Sequence, residues 1–301
     1  MASDNQYDAV VVGAGPNGLA AAINLSRARC RVLLIEGADT IGGGMRTDSL
    51  TLPGYLSDIC SSVHPLAVAS PFFRRLNLEE RGISWIQPEI ALAHPFPDGS
   101  ALFLHRSLEE TCHALGADGR SYGRLISSFV DHYEKILPDL LAPLHVPRHP
   151  VLTGRFGLRA LRSLASLARG NFDDPRVHAM MAGLAAHAMV PLDRPATASF
   201  ALVLAGLAHA VGWPLVRGGS QVLADTLGRY FTDLGGEIAT GRTVSSRSDL
   251  PQAQYYFFDL TPRQLLNISG LELSEGYRAR LDRFRYGPGV FKIDWALREA
   301  I

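Results

Sequence analysis

Residues 7–36 read YDAVVVGAGPNGLAAAINLSRARCRVLLIE and contain two short apolar runs separated by a glycine-rich turn. Residues 7–12 are rich in valine and end at Gly13, which predicts a buried strand of a parallel sheet. Residues 19–25 favour a helix, and residues 31–35 predict a second strand. The start of the chain is therefore expected to form a β-α-β unit.

The turn between the first strand and the helix carries a GxGxxG motif, GAGPNG. Gly13 permits the tight turn, Gly15 lets the backbone approach a pyrophosphate, and Gly18 lets the helix pack closely on the strand. The free N–H groups and the positive dipole end of the helix attract a phosphate group. The residues expected around the pyrophosphate are Gly13, Gly15, Pro16, Asn17 and Gly18.

An acidic residue, Glu36, ends the second strand 23 positions after Gly13. This is close to the ~20-residue spacing at which a carboxylate hydrogen-bonds the adenosine ribose of a dinucleotide. Because a carboxylate repels a ribose 2′-phosphate, the site is expected to hold FAD or NAD rather than NADP. The alternative is a glycine turn in an ordinary α/β fold, and the strand, helix and acid together argue against it.

The composition restricts the classes of partner and compartment. The chain has 301 residues, enough for about two domains. With 29 basic and 29 acidic residues it lacks the basic excess of a nucleic-acid-binding protein. Three scattered cysteines predict neither a disulfide framework nor a metal site. The first residues lack a targeting pattern, so the protein is expected to be cytoplasmic.

The middle of the chain has a different pattern from its start. Residues 90–96 and 101–104 flank a turn signal at residues 97–100, which predicts a β-hairpin. The pattern from about residue 107 to 212 is mainly helical, and it includes an uncharged stretch at residues 195–216 that favours a buried helix over a membrane span. This region predicts an inserted substrate subdomain.

The end of the chain returns to an α/β pattern. A helix is expected over residues 218–231, and strands over residues 236–240, 255–259 and 290–297. The predicted fold class is therefore α/β, with a Rossmann-like dinucleotide-binding domain that carries an inserted hairpin plus a mainly helical subdomain.

A second glycine-rich loop, GGGMRT at residues 42–47, follows Glu36. Gly42, Gly43, Arg46 and Thr47, with Gly44 between them, resemble the GG motif of the FAD-dependent oxidoreductases that include phytoene desaturases and amine oxidases. Residues 52–66, 218–221 and 287–295 extend this resemblance over essentially the whole chain. Amine oxidases usually carry arginine where this chain has Ala38 and Gly44, so the resemblance is to the phytoene-desaturase-related branch.

The resemblance implies FAD as the cofactor. It places the GG motif against the flavin, makes Arg46 the main cation for the phosphates, and sets the backbone of Val244 against the adenine. It implies an FAD-binding domain over residues 1–75 and 214–272, and a substrate domain over residues 76–213 and 273–301. Family members continue beyond residue 301 into a segment that closes over the flavin, so an incomplete flavin site is expected.

The resemblance also implies hydride transfer from an apolar, carotenoid-like or lipid-like substrate to the flavin. Two alternatives stay open: a truncated, catalytically inert dinucleotide-binding fragment, and an NAD-binding dehydrogenase. His64 is a candidate for proton transfer near the flavin, or else a hydrogen-bonded structural histidine. The sequence leaves the oligomeric state open.

Residues 144–170 contain five arginines and no acidic residue. On one helix Arg155, Arg159, Arg162 and Arg169 would share a face opposite an apolar one. A basic amphipathic helix predicts peripheral membrane contact through residues 148–169, and the alternative is a solvated helix surface.

Overall fold

The computed structural model of the protein describes residues 6–299. The strands in this part of the chain are β1 (Tyr7–Val12), β2 (Val32–Ile35), β3 (Thr47–Asp48), β4 (Ser57–Asp58), β5 (Trp85–Ile86), β6 (Ile90–Pro95), β7 (Ala101–His105), β8 (Leu215–Val216), β9 (Glu237–Ala239) and β10 (Ala253–Phe258). The helices are α1 (Pro16–Arg27), α2 (Pro65–Ala69), α3 (Pro71–Arg74), α4 (Leu108–Ala114), α5 (Gly119–Val130), α6 (Tyr133–Leu140), α7 (Pro150–Ala160), α8 (Leu164–Arg169), α9 (Pro175–Ala185), α10 (Thr197–Ala210), α11 (Ser220–Asp233), α12 (Pro262–Leu266) and α13 (Glu275–Asp282).

Four parallel strands form the central sheet in the order β10-β1-β2-β9. Val12, the last residue of β1, pairs with Ile35 on one side and with Phe258 on the other. The carboxyl ends of β1, β2 and β10 therefore lie side by side. In parallel α/β sheets ligands bind at this edge.

Side chains alternate between the two faces of the sheet, as the period of a strand requires. Val11 and Leu34 are buried on the face that is covered by Leu19 of α1 and Leu227 of α11. Val10 packs on the opposite face, in a cluster with Leu250. Burying an aliphatic side chain of this size stabilises the fold by about 1.5–3 kcal/mol, so the sheet holds the edge residues rigidly.

The insert between β5 and β8 contains the β6–β7 hairpin and seven helices, α4 to α10. Its core gathers side chains from several of these helices, among them Tyr122, Ile126, Phe156 and Leu202. α10, the uncharged segment of the sequence, lies in this core rather than on the surface. Within residues 6–299, no helix has the length and apolar character needed to cross a membrane.

The observed sheet and helical insert confirm the predicted α/β fold class, with a Rossmann-like domain carrying a hairpin and a mainly helical subdomain. The exact residue boundaries of the two domains stay a prediction. The strand predicted over residues 290–297 is wrong, because no strand pairing forms there and the alternating apolar side chains are exposed. A strand needs a neighbour for its ladder of hydrogen bonds and a surface for one face, and the described residues provide neither to this segment.

Candidate dinucleotide-binding site

A cavity of about 540 Å³ lies at the carboxyl edge of the parallel sheet. Its walls come from the loops that follow β1, β2, β9 and β10, and from α12. The residues that line it are Val12, Gly13, Gly15, Glu36, Gly37, Ala38, Gly43, Arg242, Thr243, Val244, Ser245, Asp259, Leu260, Gln264 and Asn267. The sheet topology thus brings together segments that are more than 200 residues apart in the chain.

The three glycines of the GxGxxG motif have different tasks. Gly13 has φ of +102°, and a Cβ atom there would lie 2.4 Å from the carbonyl oxygen of Asp259. A Cβ on Gly18 would lie 1.9 Å from the carbonyl oxygen of Gly13. Both positions therefore need glycine for the fold itself. A Cβ on Gly15 would meet only the Asp259 carboxylate, at 3.3 Å, so Gly15 is the glycine that keeps the cavity open.

Glu36 is held in place by backbone donors. One carboxylate oxygen accepts the N–H of Ala14 at 2.8 Å, and the other accepts the N–H of Ala38 at 2.9 Å. Each carboxylate oxygen has a second lone pair for another donor. Because Glu36 also lines the cavity, these acceptors suit the two hydroxyls of a ribose.

The loop with the GG motif packs directly on the GxGxxG loop. The N–H of Gly42 donates to the carbonyl of Ala14 at 2.8 Å, and a Cβ on Gly43 would lie 3.0 Å from the Cα of Gly15. The guanidinium of Arg46 donates through Nε to the carbonyl of Gly43 at 2.9 Å. Arg46 is thus bound to its own loop, and it is absent from the lining of the cavity.

A hydrogen-bond network joins this loop to the start of α11. One oxygen of Asp58 accepts the hydroxyl of Thr47 and the N–H of Ser220, both at 2.7 Å. The hydroxyl of Ser220 donates to the carbonyl of Ser61 at 2.6 Å. It therefore accepts from Nε2–H of His64, which lies 2.8 Å away.

These contacts give His64 a structural task. Its ring is buried, and burial lowers its pKa, while the charge of Asp58 acts in the opposite direction. A neutral ring with its proton on Nε2 satisfies the geometry. The network supports the interpretation of His64 as a structural histidine, although the sequence also made it a candidate for proton transfer.

Five of the residues predicted from sequence line the cavity, namely Gly13, Gly15, Glu36, Gly43 and Val244. The other predicted residues are not among those that line it: Pro16, Asn17, Gly18, Gly42, Gly44, Arg46 and Thr47. Sequence reasoning missed Asp259, whose carboxylate accepts the N–H of Gly18 at 2.8 Å. The available signal was its position directly after the apolar run of β10. It also missed Arg242, whose guanidinium donates to the carbonyl of Asp249.

The residues present fit the adenosine diphosphate half of a dinucleotide. The open space at Gly15 and the start of α1 suit a pyrophosphate, and Glu36 suits the ribose. Thr243 and Val244 also line the cavity, where an adenine would lie.

Comparison with known proteins agrees with this geometry. A family model described as an NAD(P)-binding Rossmann-like domain matches residues 11–76. A limonene dehydrogenase subunit of Castellaniella defragrans is 26% identical over 258 residues, which cover 81% of this chain and 46% of that protein. Hydroxyneurosporene desaturase of Cereibacter sphaeroides is 30% identical over 254 residues, which cover 78% of this chain and 50% of the desaturase.

A solved structure of an oxidoreductase from Methanosarcina mazei has the same fold, with a TM-score of 0.61 at 18% identity over 91% of this chain and 64% of that one. The chain spans about half the length of the curated relatives it matches. The Rossmann-like match and the two named relatives confirm the family that the two glycine-rich loops predicted. This chain is therefore a relative of the phytoene-desaturase-related FAD-dependent oxidoreductases.

Proposed function

We propose that the chain binds FAD through its adenosine diphosphate half and acts as an FAD-dependent oxidoreductase on an apolar substrate. The observation that carries this proposal is the cavity at the carboxyl edge of the sheet, where Gly15 and Glu36 face the same space. The start of α1 would hold the pyrophosphate, Glu36 would accept hydrogen bonds from the ribose hydroxyls, and Val244 would line the space for the adenine.

When bound, FAD supplies a hydride acceptor: one substrate carbon gives up a hydride, its neighbour releases a proton, and a C=C bond forms. The residues of the chain itself bind the cofactor and hold the loops around it in a fixed orientation. Asp58, Thr47 and Ser220 fix the loop with the GG motif relative to α11, and Gly43 holds that loop against Gly15. In this way the loop with the GG motif is fixed against both the GxGxxG loop and the start of α11.

The side chains of the helical insert are evidence for an apolar substrate. A cavity of about 200 Å³ in the insert is lined mainly by aliphatic and aromatic side chains, among them Ile126, Phe129 and Leu202. The relatives named for limonene and for hydroxyneurosporene point in the same direction. We assign the substrate-facing surface to this insert, as the sequence predicted.

Titration of the 301-residue chain with FAD, followed by flavin absorbance and by calorimetry, tests the proposal. We expect saturable FAD binding that ADP competes away and that Glu36→Ala weakens. Tight NAD binding without FAD binding would instead favour an NAD-binding dehydrogenase. Binding of ADP and FAD without turnover on any hydrophobic substrate would favour the inert dinucleotide-binding fragment.

We also propose that the protein contacts a membrane surface, through a shorter segment than residues 148–169. The single amphipathic helix expected there is two helices, because α7 ends at Ala160 and α8 begins at Leu164. Leu164 and Leu167, which would belong to the apolar face of such a helix, are buried in the core of the insert. These two side chains therefore stabilise the insert and are not available to a membrane.

Another set of side chains is exposed on and before α7. Val151 is 72% exposed and Leu158 is 78% exposed. With Arg155 they follow the i, i+4, i+7 spacing of one helix stripe. Leu144, also exposed, precedes α7, and residues 141–172 contain no acidic side chain. Apolar side chains beside arginines suit the boundary between anionic headgroups and acyl chains.

A further inference from the structure

Asp259 brings a negative charge to the end of the cavity at which the pyrophosphate is expected. It follows β10 directly and lines the cavity together with Gly15. Its Oδ2 atom accepts the N–H of Gly18 at 2.8 Å, and a Cβ atom on Gly15 would lie 3.3 Å from the same oxygen. The carboxylate therefore occupies the space in front of the glycine that keeps the cavity open.

The start of α1 has few donors to offer. Pro16, its first residue, has no N–H, and the N–H of Leu19 donates to the carbonyl of Gly15. The first turn is left with the N–H groups of Asn17 and Gly18. Because Gly18 donates to Asp259, half of these donors are already used by a carboxylate of the chain itself.

The charged side chains that line the cavity are two acidic ones, of Asp259 and Glu36, and one basic one, of Arg242. Within residues 6–299, no lysine or arginine forms an ion pair with Asp259. Arg242 also lines the cavity and keeps its positive charge, because its guanidinium donates to a neutral carbonyl, that of Asp249. Glu36 adds a second negative charge at the ribose end. A pyrophosphate at the start of α1 therefore meets a carboxylate of the same sign, and such charges repel at short range.

We propose that Asp259 competes with the pyrophosphate for the start of α1, so that its charge limits how tightly the chain binds a dinucleotide. The inference rests on the proposed dinucleotide function. In the free chain the carboxylate takes the place of the phosphate and keeps the GxGxxG loop in its binding shape. When a phosphate binds, Asp259 gives up the N–H of Gly18.

Calorimetry with adenosine and with ADP tests this inference, because only ADP carries phosphate. Asp259→Asn keeps the size of the side chain and one carbonyl oxygen, and it removes the charge. We expect this variant to bind ADP about fivefold tighter or more, and adenosine with unchanged affinity. Asp233→Asn, which removes an exposed charge of α11 away from the cavity, is the matched control and should leave both affinities unchanged.

Asp259→Ala is a second variant, which removes the acceptor as well and leaves the N–H of Gly18 for the phosphate. It should also bind ADP more tightly. The inference is overturned if the wild type binds ADP and FAD while Asp259→Asn binds ADP equally or more weakly. It is overturned as well if adenosine gains as much as ADP, since shape rather than charge would then explain the change. If neither the wild type nor the variants bind ADP or FAD, the dinucleotide function fails and the inference fails with it.

Discussion

A Cβ atom on Gly13 would lie 2.4 Å from the carbonyl oxygen of Asp259, the residue that follows the neighbouring strand β10. The first glycine of the GxGxxG motif is thus required by the approach of two strand ends, whatever the cavity holds. Gly15, two residues later, has space for a Cβ next to a side chain only. The fold therefore requires glycine at positions 13 and 18 of the motif, and the cavity requires it at position 15.

We predict that Gly13→Ala destabilises the fold and that Gly15→Ala does not. The first substitution forces an L-residue to φ of +102° and pushes a methyl group into backbone, which costs about 2–3 kcal/mol or more. Gly15→Ala should keep the wild-type free energy of unfolding within about 0.5 kcal/mol and weaken ADP binding. Urea denaturation and calorimetry measure the two effects. Equal loss of stability in both variants would contradict this division of tasks.

Glu36→Ala should weaken the binding of both adenosine and ADP by about tenfold or more, because hydrogen bonds to a charged acceptor are lost. Calorimetry with the two ligands measures this loss. In the wild type, 2′,5′-ADP should bind more weakly than AMP, from which it differs only by its 2′-phosphate, since the carboxylate repels a 2′-phosphate. The alanine variant should narrow that difference. If 2′,5′-ADP and AMP bind the wild type equally, Glu36 does not face the ribose.

Asp58→Ala should lower the free energy of unfolding by about 2–4 kcal/mol. The substitution leaves the hydroxyl of Thr47 and the N–H of Ser220 without their acceptor at the start of α11. Asp58→Asn keeps one acceptor oxygen, so it should lower the free energy of unfolding by less than Asp58→Ala does. Urea denaturation of the two variants checks the order, and an alanine variant as stable as the wild type would show that the network contributes little.

The buried histidines predict a loss of stability in mild acid. Burial lowers the pKa of His64 and of His209 below the ordinary value of 6.5. Below pH 6.5 the unfolded chain therefore takes up more protons than the folded chain, and the free energy of unfolding falls until the pH reaches the lowered pKa values. Above pH 6.5 this contribution is fully present.

Replacing His64 with glutamine should make the fall in the free energy of unfolding below pH 6.5 shallower, since one of the two groups no longer titrates. Urea denaturation at several pH values measures the slope. If the free energy of unfolding of His64→Gln depends on pH as steeply as that of the wild type, His64 takes up its proton equally easily in the folded and the unfolded chain.

Vesicle flotation tests the membrane contact. The wild type should float with vesicles that contain anionic lipid and much less with neutral vesicles. Leu158→Glu and Val151→Glu should each reduce flotation severalfold, because they place a charge in the exposed stripe of α7. Leu56→Glu, at an exposed leucine far from this stripe in the chain, is the control. Equal binding to neutral and anionic vesicles would contradict a role for the arginines.

The sequence predicted the parts of the site that are local in the chain. Gly13, Gly15 and Glu36 lie within one β-α-β unit, and their spacing follows from the geometry of that unit alone. Asp259 could not be found in this way, since it contacts Gly18 from 241 residues away. Only the strand order β10-β1-β2 places the two residues together.

The wrong predictions also have physical reasons. The alternation of residues 290–297 is the pattern of a strand with one buried face. A strand also needs a second strand to pair with, and the pattern does not show whether one is present. The arginines at residues 155–169 would share one face only on a continuous helix, and the chain turns at residues 161–163. Sequence periodicity describes what a segment could form, and its partners decide whether it forms.

The pairing of β1 with β10 has a consequence for biosynthesis. Tyr7 is opposite Ala253, so a ribosome adds more than 240 residues after β1 before its partner exists. At about 5–20 residues per second, one edge of β1 stays unpaired for roughly 10–50 seconds. The insert is complete in the nascent chain before β10 is made, and its local helices can form early. An open strand edge is a template for aggregation, so this interval is the stage of cotranslational folding at which a chaperone would protect the protein most.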